Sequence, residues 1–388
     1  MDHKSIGQKL DLFHFSPAAS GAAFWHPRGL AIIRALEEHV RRIVAADGFE
    51  EVKGPQVLSA DVWKKSGHWE KFGDAMMRLD DDSCALKPVS CPGHIHIVKA
   101  RKKRLRPGAV VRLSELGLVH RDERKSQLLG LFRLRQFVQD DGHIFCAEKD
   151  IDDEVARFVS RVRSIYASVG FDRIDAVISL RPPPERRAGS DALWDRAEGA
   201  LQRAVCAAGL RYSLVPGGGA FYGPKLEILV GDRRGRSWQC GTIQLDFVLP
   251  ERFGLSFVML HRAMLGSFER FLGLLLEQRE GQLPAWMSPE QVRVVPVASS
   301  DEGVVAYARE VSALLAARGV RSAIDERDVP LAPRIARAHD ERVPISVIVG
   351  PRDRDSRRIA IRQGKERHDL PHAEAIDLIA SACAPPPI

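Results

Sequence analysis

Arg121 closes the apolar stretch 110–119, and Arg133 lies in a second one that begins at Leu131. Two strands joined by a basic loop would set these guanidiniums side by side. Each offers a fork of donors to phosphate oxygens, so the pair suits a triphosphate. A solvated basic hairpin has the same spacing. Cys91, His143 and His261 are residue types that zinc prefers, and three of them would leave a coordination position open. They are too far apart in sequence to form a short motif, and scattered Cys and His also serve as core residues. The Gly-rich run 217–223 precedes Pro224-Lys225 and a strand-like segment. It lacks the Gly-Lys-Ser/Thr ending of a P-loop and opens no helix. Lys225 is one of two lysines beyond position 149, in a stretch otherwise using Arg; this hints at a need for an ammonium, though chance accounts for it more readily. Arg270 falls beside the apolar stripe of a predicted helix, where a snorkelling surface residue is also expected.

The elements that must carry these residues follow from periodicity. Apolar residues at helical spacing predict helices over 29–47, 150–168 and 262–277, the first two followed by Gly48 and Gly170. Leu226, Ile228 and Val230 alternate, as do Ile243, Leu245 and Phe247, in the manner of half-buried strands. Strands between long helices, without regular βαβ alternation, predict an α+β domain on a mostly antiparallel sheet over residues 1–285. A boundary falls near Gln282-Leu283-Pro284-Ala285. Beyond it, strands 292–297, 322–325, 345–350 and 358–362 and helices 304–318, 332–339 and 372–383 predict a separate α/β domain over 289–383.

The chain has 388 residues, 45% of them hydrophobic and 28% charged, which fits a globular protein with a sizeable core. No uncharged apolar run of about 18 residues is present, which excludes a membrane helix. The six cysteines show no paired close spacing, so free thiols in a reducing cytoplasm are expected. The net charge is +7. Residues 99–135 hold twelve basic and three acidic residues, more excess charge than the whole chain carries, so a polyanion partner is expected there.

Taken in order, these segments resemble those of the threonyl-tRNA synthetase family of class II aminoacyl-tRNA synthetases. The resemblance is carried by Phe24-Trp25-His26, Glu51-Val52-Lys53-Gly54-Pro55, Ser66-Gly67-His68-Trp69, Cys91-Pro92-Gly93-His94, Gln139–Cys146, Ala220–Lys225, Trp238–Phe247 and His261–Arg270, across nearly the whole chain. It implies an α+β class II synthetase catalytic domain on an antiparallel sheet, plus a C-terminal α/β anticodon-binding domain. It implies ATP binding by Arg121, Glu123, Arg133, Phe137, Gln239 and Arg270, with magnesium accompanying ATP. Arg121, Arg270, Lys225 and His68 would be catalytic, His68 in transfer to tRNA. Gln139, Asp141, Tyr222, Lys225 and Gln244 would line a threonine pocket. Cys91, His143 and His261 would hold one zinc. Pro55 would lie in the segment that builds a homodimer. The partners implied are threonine, ATP and tRNA(Thr), with no membrane.

The resemblance also carries departures. The chain starts where the family's catalytic core starts, so a short form without N-terminal and editing domains is expected. The loop Arg124-Lys125-Ser126-Gln127-Leu128-Leu129 replaces a Pro-Ser-Gly run, Val89-Ser90 replaces Met-Asn, and Arg362-Gln363-Gly364 replaces Arg-x-Arg. These departures keep two alternatives open. One is a threonine-activating paralogue with a non-tRNA acceptor, and the other is a regulatory tRNA-binding homologue.

Overall fold

A computed structural model describes every residue except Pro107, Asp172 and Lys365. The chain divides into two compact units. One comprises Met1–His14, Phe24–His39 and Leu275–Pro387, and the other Phe15–Ala23 and Val40–Leu274, with Ile388.

The larger unit is built on eight strands: β1 (Glu50–Glu51), β2 (Val111–His120), β3 (Gln136–Cys146), β4 (Asp175–Ser179), β5 (Ser213–Val215), β6 (Lys225–Gly231), β7 (Ser237–Asp246) and β8 (Val258–Ala263). Their order across the sheet is β5-β4-β6-β7-β8-β3-β2-β1. The five interior pairings are antiparallel, as expected. The two edge pairings, β5–β4 and β1–β2, are parallel. Helix α1 (Cys91–Arg101) precedes β2, and helices α2 (Ile151–Ser168) and α3 (Asp191–Ala207) follow β3 and β4. α2 buries Val155, Phe158, Val159, Val162, Ile165 and Tyr166, the stripe its sequence promised. The Tyr166 hydroxyl donates to the Met264 carbonyl at 2.8 Å and accepts the Gly241 N–H at 2.9 Å, tying α2 to the sheet.

The periodicity over 262–277 was expected to form one helix, and the structure corrects this. β8 continues to Ala263, and helix α4 begins at Phe268 and runs to Arg279. Gly266 between them has φ +80°, a left-handed conformation that ends the strand and suits glycine. The Asp140 carboxylate collects the N–H groups of Met264, Leu265 and Gly266 in this turn. The strand-like stretch from Leu131 is also corrected, since Gly130–Phe132 is a 3₁₀ turn and β3 starts at Gln136.

The C-terminal part of the other unit is a five-stranded sheet. Its strands are β9 (Val292–Pro296), β10 (Ser322–Ile324), β11 (Ile345–Val349), β12 (Arg358–Gln363) and β13 (Glu366–Pro371), ordered β10-β9-β11-β12-β13. β9 pairs in parallel with β10 and β11, and the remaining pairs are antiparallel. Helices α5 (Glu302–Ala317), α6 (Leu331–Asp340), a short α7 (Pro351–Ser356) and α8 (His372–Cys383) accompany it. Val292, Val294, Ile345, Val347, Ile359 and Ile361 share a core with Val304, Val311, Leu315 and Ile379. β13 and α7 extend the sequence-derived element list. Among the described residues no helix is long and apolar enough to cross a membrane, and all six cysteines are free.

Candidate active site

Side chains alternate across a strand, so Phe137, Gln139, Asp141 and His143 of β3 share one face. On the neighbouring β8, His261 stands directly opposite His143. On β7, Gln244 stands opposite His261, and on β6 Lys225 stands opposite Gln244. One face of four adjacent strands therefore gathers residues that sequence spacing leaves far apart. Over this face lies a cavity of about 480 Å³. Of the fifteen expected site residues, Cys91, Arg121, Glu123, Arg133, Phe137, Gln139, Asp141, His143, Tyr222, Lys225, Gln239, Gln244, His261 and Arg270 line it. His68 does not. It is 1% exposed, with its Nε2 3.5 Å from the Cys91 Sγ and its Nδ1 2.8 Å from the Ser66 hydroxyl oxygen.

The arginines are held by backbone and rings. Arg121 donates from Nε to the Pro88 carbonyl at 3.2 Å, and its guanidinium lies 5.1 Å from the Phe137 ring centre. Arg270 donates from Nε to the Phe132 carbonyl at 3.0 Å and from Nη1 to the Gln239 carbonyl at 2.9 Å. Burial lowers both guanidinium pKa values from their ordinary value. Arg133 pairs with Glu123 at 2.8 Å, and Lys225 pairs with Glu227 at 2.9 Å. Gln239 donates to the Thr242 hydroxyl at 2.8 Å. Gly223 passes so close to the Leu245 carbonyl that a Cβ there would lie 1.8 Å from its oxygen, so this turn beside the pocket requires glycine.

Cys91, His143 and His261 are all buried, with their ligand atoms within 4.8 Å of one another. Burial pushes the Cys91 thiol well above its usual range and His143 well below its own, so that imidazole is neutral with a free lone pair. His68 is pushed down to about 3 by burial and by the charges of His261, Arg252 and Arg121. His261 Nε2 is 3.0 Å from the Asp246 carboxylate, which also caps the Val248 and Leu249 N–H groups. His143 Nδ1 is 2.8 Å from His94 Nδ1, leaving Nε2 beside Asp141 Oδ1 at 3.7 Å. Each ring thus has one nitrogen engaged outside the triplet and one left for a ligand bond, an arrangement typical of metal-binding histidines. The donor set, spacing and burial fit zinc. Tyr222 stacks on His261 with ring centres 4.5 Å apart, and its hydroxyl meets Gln244 Oε1 at 2.5 Å.

Residues that sequence reasoning did not single out include Lys87, Glu115, Asp246 and Glu227. The available signal for Asp246 was strand alternation. It lies two positions along β7 from Gln244, on the His261 face.

Comparison with known proteins bears on this arrangement. Residues 75–279 match the tRNA synthetase class II core domain (G, H, P, S and T), and residues 291–382 match an anticodon binding domain. The chain is 43% identical over 402 residues to a threonine–tRNA ligase of Caulobacter vibrioides, spanning 100% of this chain and 60% of the relative. It is 43% identical over 399 residues to that of Rhodospirillum rubrum, spanning 99% and 61%. The chain therefore spans about 60% of the length of these curated relatives. A Cryptosporidium parvum structure described as the RNA binding domain of threonyl-tRNA synthetase superposes with a TM-score of 0.93 at 33% identity. It covers 100% of this chain and 99% of its own. A structure described as a threonyl-tRNA synthetase from Aeropyrum pernix gives 0.85 at 26%, covering 98% and 94%. With a class II core over half its length, and with the Cryptosporidium parvum structure 33% identical and covered to 99%, the chain belongs to the threonyl-tRNA synthetase family of class II aminoacyl-tRNA synthetases.

Proposed function

We propose that the chain activates threonine with ATP and transfers it to tRNA(Thr). The observation that carries this reading is the convergence in one cavity of Arg121 and Arg270 with the Cys91–His143–His261 triplet. A threonine carboxylate oxygen attacks the α-phosphorus of ATP, forming the mixed anhydride and releasing pyrophosphate. That displacement needs positioning and charge neutralisation more than covalent catalysis. Arg121 and Arg270 neutralise the phosphate oxygens, Phe137 stacks on the adenine, and Glu123, Arg133 and Gln239 complete the nucleotide site. Magnesium accompanies the ATP. Lys225, held by Glu227, adds a further cationic arm. Gln139, Asp141, Tyr222 and Gln244 surround the amino acid. The chemistry a bound zinc supplies is open coordination for the threonine amino and hydroxyl groups. A site built for a hydroxyl rejects isosteric valine strongly, while serine loses only a methyl, worth about 1–3 kcal/mol. His68 acts in the transfer step. The working form is a homodimer in the cytoplasm.

The test is ATP–pyrophosphate exchange with threonine, serine and valine, followed by charging of tRNA(Thr). The expected result is exchange with threonine, weaker exchange with serine, none with valine, and charging. Absence of exchange overturns the enzymatic reading in favour of a regulatory tRNA-binding homologue. Exchange without charging favours the paralogue with a different acceptor, a reading kept open by Arg124–Leu129 departing from the family pattern.

A further inference from the structure

Three polar side chains form a buried line that runs back from His143 of the triplet. The Lys87 ammonium donates to Glu115 Oε1 at 2.7 Å, Glu115 Oε2 is 3.2 Å from His94 Nε2, and His94 Nδ1 is 2.8 Å from His143 Nδ1. Their exposures are 1% for Lys87, 4% for Glu115, 0% for His94 and 2% for His143. Oε1 of Glu115 also accepts the Gly54 N–H at 3.2 Å. A buried ion pair contributes little net stability, and well-packed apolar residues often do better in its place.

The register explains the line. Glu115 on β2 faces Asp141, and Leu113 faces His143, so Glu115 and His143 are diagonal neighbours on one face of the sheet. Diagonal positions lie roughly 7–8 Å apart, too far for a direct hydrogen bond. His94, three residues into α1 from Cys91, fills the gap. The protons can be placed from the partners. A carboxylate only accepts, so His94 carries its proton on Nε2 and presents a lone pair at Nδ1. His143 must then donate from Nδ1, which leaves its Nε2 lone pair on the cavity side.

We infer that Glu115, anchored by Lys87 and acting through His94, is a positioning residue that fixes the ring orientation and tautomer of His143 for metal binding. The inference rests on the proposal that the triplet holds zinc. Lys87 and Glu115 come from segments outside the three ligands, and Glu115 ties the ligand to the backbone of Gly54.

The full chain and its Glu115→Gln variant are loaded with zinc, and affinity is measured by competition with a chromophoric chelator. Cobalt-substituted samples are compared by visible absorption. Glu115→Gln keeps the volume and removes the charge. The expected result is zinc binding weakened about 10–100-fold, with an altered cobalt band. His94→Asn, whose side-chain oxygen can still accept from His143 Nδ1, should fall between wild type and Glu115→Gln. A folded Glu115→Gln protein with wild-type affinity and spectrum overturns the inference while leaving the zinc site intact. If Glu115→Gln does not fold, the same two readouts on His94→Asn decide, and wild-type values overturn it. A wild-type chain that takes up no zinc overturns the metal reading itself, and the inference with it.

Discussion

At the scale of single residues, Arg270 shows how the pocket is prepared before a ligand arrives. Two of its donors are committed to the carbonyls of Phe132 and Gln239. The guanidinium is therefore fixed, and little rotamer entropy remains to be lost when it meets a phosphate. Lysine cannot reproduce that geometry, because an ammonium is a point charge on a flexible stem and cannot brace itself on two carbonyls while presenting a third donor. Arg270→Lys and Arg270→Gln should both lower threonine-dependent pyrophosphate exchange by on the order of 100-fold or more. The threonine concentration at half-maximal rate should change much less, since the role proposed for the arm is on the nucleotide. Lysine restoring most of the rate would show that charge alone suffices. The histidines follow the same logic of prior engagement: His261 and His143 each have one nitrogen tied to an outer partner.

At the scale of elements, the turn between β8 and α4 decides whether Arg270 and His261 share a cavity. Asp140 makes that turn by accepting three successive N–H groups while buried at 3% exposure. Asp140→Ala would leave those donors unsatisfied in a dry interior. It should destabilise the chain by about 2–4 kcal/mol, measured by urea unfolding, and weaken exchange through misplacement of Arg270. Asp140→Asn keeps one acceptor and should fall between. This turn is also where the sequence was least legible. Leu265, Phe268, Leu272, Leu275 and Leu276 are all buried, and their spacing imitates one helical stripe over 262–277. That stretch is in fact the end of a strand, a turn and the start of a helix, separated by the left-handed Gly266 and a carboxylate distant in sequence. Helices α2 and α8 were legible because each carries an uninterrupted stripe with clear ends. β13, with the sequence Glu-Arg-His-Asp-Leu-Pro, is almost wholly exposed, so no alternation marks it. The triplet could be suspected from residue types but not grouped by spacing, because the contact of His143 with His261 is made by sheet register across more than a hundred residues. Glu115 was hidden for the same reason.

At the scale of the whole molecule, charge is distributed with a purpose that net values conceal. In the C-terminal sheet Arg293 is 7% exposed and sits among carboxylates. It meets Glu341 at 2.6 Å and Glu290 at 2.8 Å, with Asp325 3.9 Å away. Burial pushes the Glu341 carboxyl up, but hydrogen bonds from Arg337 and Arg293 outweigh it, so it lies below 4.5. Asp325 is lowered mainly by its hydrogen bond from Arg327, with Arg293 adding to the effect. Depressed folded pKa values mean that this stabilisation is present above the unfolded values and is lost as pH falls through the folded ones. Thermal unfolding should therefore shift to lower temperature below about pH 4.5. Arg293→Met should cost about 3–5 kcal/mol at pH 7, and that deficit should shrink on acidification as the stranded carboxylates protonate. The basic stretch 99–135 divides in the structure. Arg101 is paired with Glu50, Arg112 with Glu154, Arg133 with Glu123 and Arg135 with Asp122. Arg124 and Lys125 are exposed and carry no ion pair among the described residues, in the loop that follows Arg121 at the cavity. Lys103 and Arg104 are equally unpaired but lie in the turn after α1. A phosphate contact releases counterions, so each one lost lowers the salt dependence of RNA binding by about one unit of slope. Arg124→Ala with Lys125→Ala should reduce the slope of log affinity for tRNA(Thr) against log salt by about 1–2. Lys103→Ala with Arg104→Ala should leave it within error, and equal losses from both pairs would place RNA on both parts of the basic stretch.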